Sequence, residues 1–141
     1  MTEVMDNSSI HAAILNALTA ADSVSRALKA VEDAGVHIED HLGGEVRDLK
    51  HGELTAKSFT KQEVGRLRAF AKALEPSIIS ETQIWFVHDE CNMDGGGHQE
   101  TAISDFGNAT ARLQTALRHL AGTLLEVIHL QHAGRLLASL R

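Results

Sequence analysis

A chain of 141 residues is long enough for one domain, and 43% hydrophobic with 23% charged residues is the composition of a folded globular protein, not of a disordered one. The net charge of -6 argues against a nucleic-acid ligand, and a single cysteine, Cys91, excludes an intramolecular disulfide. One proline, Pro76, and 4% aromatics favour long helices with a Leu, Ile, Val and Ala core over a fold of many strands and turns.

The first predicted helix starts at a cap supplied by Asn7, Ser8 or Ser9 and ends at Gly35, where a left-handed C-terminal cap belongs. Between them Ile10, Ile14, Ala17, Ala21, Val24, Leu28 and Val31 recur at steps of four and three, a heptad-type stripe that Leu15 and Leu18 widen at its start. Residues 1–7 are expected to be flexible. They are polar and acidic and lack the basic and apolar regions of a secretory leader, so with the lone cysteine the expected location is the cytoplasm. No apolar run reaches the roughly 18 residues of a membrane span, and no membrane contact is expected.

Ile38, Leu42, Val46 and Leu49 suggest a short second helix, interrupted by Gly43 and Gly44. Thr60-Lys61-Gln62-Glu63 is a capping box that opens a third, with Val64, Leu67, Phe70, Ala71 and Leu74 on its buried face. Pro76 ends that helix and is suited to the first turn of a fourth, extending to about residue 92 and carrying Ile78, Ile79, Ile84, Trp85, Phe86 and Val87. Residues 93–98 are expected to form a flexible glycine-rich loop. It lacks the lysine and the serine or threonine of a phosphate cradle, and no strand is expected before it. The last helix is predicted over 99–140, with Ile103, Phe106, Thr110, Leu113, Leu117, Leu120, Leu124 and Val127 on one face. Such a helix is about 60 Å long. A compact domain of this size is only about 37 Å across, so the helix should bend or project and pack on another subunit.

The charge is unevenly laid out. Residues 73–111 hold Glu75, Glu81, Asp89, Glu90, Asp94, Glu100 and Asp105 and no lysine or arginine. The helix before them is basic, with Lys57, Lys61, Arg66, Arg68 and Lys72. Opposite charges of this kind help choose partner and register, within the chain or across a two-fold.

Four sets of residues are candidates for function. Trp85 and Phe86, with Glu81, Asp89 and Glu90 around them, could be an aromatic anchor for a partner with a basic surface. The simpler alternative buries the only tryptophan in the core and leaves the acids as a solvated face. His88, Cys91 and His98, with Asp89, Glu90 and Asp94 nearby, offer donors suited to zinc, but their spacing matches no standard zinc module. His37, His41 and Glu45 share a possible helix face, and Glu126 and His129 form a single Glu-x-x-His pair where bundle di-metal sites need two. No spacing fits a nucleophilic enzyme or a cofactor fingerprint.

The expectation from sequence is an all-α protein, 1–141 as a single helical domain: an up-and-down bundle of four to five helices with long first and last helices. It would be a non-enzymatic interaction or regulatory protein, acting as a homodimer and needing no cofactor. The alternative is a metal-binding helical bundle.

Overall fold

The small-residue stripe of the first segment sets how closely two long helices approach. In the computed structural model, which describes residues 7–34, 54–88 and 96–140, helix α1 (Asn7–Asp33) buries Ala13, Ala17, Ala20, Ala21, Val24, Leu28 and Val31. Alanine in four of these seven places keeps its partner's axis near. Leu15 and Leu18, expected to widen the stripe, are instead 50% and 41% exposed; Ala13 and Ala20 widen it. Gly35, the expected cap, lies outside the described residues, as do the predicted second helix and His37, His41 and Glu45.

Leu54 and Phe59 pack against the core on either side of a short 3-10 turn (Ala56–Ser58). Helix α2 (Lys61–Ala73) then begins where the capping pattern places it: the Thr60 hydroxyl accepts the Glu63 backbone N–H at 3.2 Å. Val64, Leu67, Phe70, Ala71 and Leu74 are all buried, as the spacing predicts. Pro76 sits in the first turn of a separate short helix, α3 (Glu75–Ser80), where its missing N–H costs no hydrogen bond.

The fourth helix expected over 76–92 stops at Ser80. The Glu81 N–H still bonds Ser77, but the Thr82 hydroxyl donates to the Ile78 carbonyl at 2.7 Å, taking the place of the backbone donor that another helical turn would supply. Thr82–His88 is strand β1, and Gly97–Ile103 is strand β2, paired antiparallel from Thr82 opposite Ile103 to His88 opposite Gly97. The all-α expectation is thus corrected to a mostly helical fold with one two-stranded sheet. Among the described residues three long helices build the core, with a short fourth, α3, beside them. Of the loop expected over 93–98, Gly97 and His98 belong to β2, and residues 93–95 lie outside the described residues. A strand does precede the glycines, but Gly97 leads into another strand and not into the helix N-terminus that a phosphate cradle uses.

The last helix begins six residues later than predicted. Ser104 caps α4 (Asp105–Ser139) by accepting the Gly107 N–H at 3.0 Å. The helix runs unbroken through Gly107, Gly122 and Gly134, so 35 residues extend about 52 Å. It is the common wall of the core: α1 and α2 both pack on it. Its buried face is the predicted one, with Thr110, Leu113, Leu117, Leu120, Leu124 and Val127. Past Val127 no described residue is buried, and Leu136, Leu137 and Leu140 are 53%, 38% and 82% exposed.

Three polar contacts fix the order of the pieces along α4. The buried Gln114 amide donates to the Ala71 carbonyl at 2.9 Å and to the Glu75 carboxylate at 2.7 Å. Ser104, ten positions earlier, bonds Glu81. Sequence numbers rise along α2 and α3 as they fall along α4, so the two run antiparallel. Gln114 thus gives the Ala71 carbonyl at the end of α2 a second donor beside the Leu74 backbone N–H, which reaches it at 3.3 Å. Among the described residues, no helix is long and apolar enough to cross a membrane.

Candidate functional site: a protruding hairpin

Strand chemistry explains why 82–88 leaves the helical pattern. Ile84, Trp85, Phe86 and Val87 are β-branched or aromatic, types that suit a pleated surface and lose side-chain freedom in a helix. Each strand has seven residues, so the ribbon extends about 22 Å at about 3.3 Å per residue.

The base of this hairpin is tightly fastened. The Ser104 N–H donates to the Glu81 carbonyl at 3.2 Å, and the Ser104 hydroxyl donates to the Glu81 carboxylate at 2.8 Å. The same hydroxyl oxygen receives the Gly107 N–H. Glu81 and Ser104 immediately flank the Thr82–Ile103 pair, so one residue pair closes the ribbon and starts α4. Gly107 is required by this closure. A Cβ there would lie 2.6 Å from Ile103 Cγ1 and 2.9 Å from Glu81 Cβ, inside any real contact.

Beyond the base, the ribbon leaves the bundle. No described side chain of either strand is fully buried, and Ile84, Trp85 and Phe86 are 66%, 42% and 50% exposed. The only tryptophan therefore takes no part in the core, which the helices complete without it. The register alternates the faces. Ile84 and Phe86 share one with Thr101, Gln99 and Gly97; Trp85 and Val87 share the other with Glu100 and His98. The Phe86 ring lies across Gly97, where an added Cβ would come within 2.5 Å of Cε1 and Cζ. An aromatic side chain covering a strand glycine diagonally is a known way of firming a ribbon.

The acids predicted to ring the aromatics divide between roles. Glu81 is held in the hairpin base, and Asp89 and Glu90 lie outside the described residues. Glu100, not singled out from sequence, stands directly opposite Trp85 and bonds His98 Nε2 at 3.0 Å. Both side chains of that pair are about half exposed, so it adds little to stability. Of the candidate zinc donors, His98 faces Val87 in the ladder, His88 faces Gly97, and Cys91 lies outside the described residues. Among the described residues no three His, Cys, Asp or Glu side chains converge on a metal-sized site. Glu126 and His129 are both on the exposed side of α4.

Comparison with protein-family models, with curated proteins and with solved structures found no match to this chain.

Proposed function

We propose that this is a non-enzymatic protein–protein interaction protein that acts as a homodimer, with the hairpin around Trp85 and Phe86 as its contact surface. One observation carries the reading: the helices bury a closed core, while three large apolar side chains stand exposed in consecutive positions on a ribbon fastened at its base. A two-stranded ribbon is marginal in water by itself, and a third strand or a covering surface is what stabilises one. Exposed aromatic anchors on a rigid support are the usual centre of a binding surface. The long α4, which projects past the buried core, gives a dimer a second place to bury Leu136, Leu137 and Leu140.

Light scattering on the purified chain tests the reading. A mass of twice 15.2 kDa at micromolar concentration is the expected result. A mass of 15.2 kDa under those conditions would refute the homodimer.

A further inference from the structure

Every strand in a two-stranded sheet has an outer edge, and proteins protect such edges with lysine, proline, bulges or central charges. The two edges here differ. Strand β1, Thr-Gln-Ile-Trp-Phe-Val-His, has no Lys, Arg, Asp, Glu or Pro. Strand β2, Gly-His-Gln-Glu-Thr-Ala-Ile, carries Glu100 at its centre. Uncharged, proline-free runs rich in β-branched and aromatic residues are the segments that pair most readily with another strand.

We propose that β1 pairs antiparallel with β1 of a second copy about a two-fold axis midway between the two Trp85 residues, giving a four-stranded sheet in the order β2, β1, partner β1, partner β2. This rests on the homodimer reading and names the surface that closes it.

The sequence of β1 is self-complementary in that register. A two-fold perpendicular to the sheet keeps each strand's faces in place, so only residues of like parity can oppose each other. Centred on Trp85, all seven positions find partners: Trp85 meets the partner's Trp85, Ile84 meets the partner's Phe86, and Gln83 meets the partner's Val87. Aromatic with β-branched is among the favourable cross-strand pairings. Any other register leaves residues at both ends unpaired.

The other two ways of joining edges are worse. Pairing β2 with its own copy sets Glu100 opposite the partner's Glu100, like charges in direct opposition. Pairing β1 with a partner's β2 leaves a free edge at each end and grows without closing. The β1–β1 arrangement closes, and the two edges left outside are the ones guarded by Glu100. It also sends the two bundles to opposite ends of the sheet, because the base of one hairpin lies beside the tip of the other.

Charge exchange with Trp85 retained gives the test. One chain carries Gln83→Lys and Val87→Lys, and a second carries Gln83→Glu and Val87→Glu. Within a chain the two positions are too far apart to meet; across the proposed axis each opposes the other. Circular dichroism first establishes that both variants keep the helical content of the parent. Light scattering should then give 15.2 kDa for each variant alone and twice that for their equimolar mixture. If the parent is a dimer and both variants remain dimers, the β1 pairing is wrong while the homodimer stands, with the α4 end as its next surface. Variants that are monomeric and stay so when mixed would overturn the register. A parent that grows beyond a dimer would show the open-ended pairing instead. A monomeric parent would remove the homodimer reading itself.

Discussion

The helical core and the hairpin use the same kinds of side chain to opposite ends. In the core, Leu113, Leu117, Leu124, Val24 and Leu28 are almost completely removed from water, each by a neighbour within the chain. In the hairpin, Ile84 and Trp85 remain open to water although the backbone beneath them is fixed by Glu81, Ser104 and Gly107. The core thus spends its apolar surface on folding one chain, and the ribbon holds its own in reserve. A fastened base without burial suits a surface meant to meet something else, since the position of the ribbon is already set before contact.

Substitutions can break or sharpen this contrast. The largest loss of stability should come from the core. Leu117→Ala is expected to lower the unfolding free energy by about 3 kcal/mol in chemical denaturation, because the cavity it opens lies between packed helices. A shift near zero would mean that α4 is not the wall of the core.

Gly107→Ala comes next, at about 2 kcal/mol, the cost of forcing a methyl group against the Ile103 side chain and Glu81 Cβ. Its effect should be local. Amide resonances of the hairpin and of the first turn of α4 should move, while those of α1 hold still; a shift spread evenly through α1 would argue against a hairpin base fastened at Glu81 and Ser104.

Gln114→Met keeps the volume and removes the two donated bonds. A loss of about 1 kcal/mol is expected, since Ala71 gives up a buried donor while the exposed Glu75 regains water. The smallest effect on the fold should be Ile84→Thr, within about 0.5 kcal/mol, because a β-branched residue is retained at a position that is already exposed. The order should invert for self-association: Ile84→Thr should weaken the dimer measurably by dilution in light scattering, and Gln114→Met should leave it unchanged.

Helix α2 and the buried face of α4 were open to inspection in the sequence, because steps of three and four describe a helix wherever they persist. Thr60, Leu67 and Phe70 sit where that pattern puts them. The strand was not, although its residues hinted at it. A run of four apolar residues has no period to distinguish a strand from a buried helical turn, and Ile78 and Ile79 just before it belong to a true helix. The clue available was composition: Thr82, Ile84, Trp85, Phe86 and Val87 favour strands, and a glycine-rich connection leading to a second segment of equal length is what a hairpin needs. Glu100 could not be singled out among seven acids until the register placed it against Trp85.

The sequence by itself determined that the first and last segments are long helices, the corner at Pro76 and most of the faces that go inward, Leu15 and Leu18 excepted, since helical periodicity and capping are local properties of neighbouring residues. Only the tertiary structure decided the fate of the apolar patch at 84–87. Its place depends on whether the core has room, and among the described residues that core is built mainly by α1, α2 and α4, with Leu54, Phe59 and Ile78 against it and no residue of 84–87 in it. What remained was a ribbon closed at its base by Glu81 and Ser104, residues 23 positions apart, with its tryptophan facing outward.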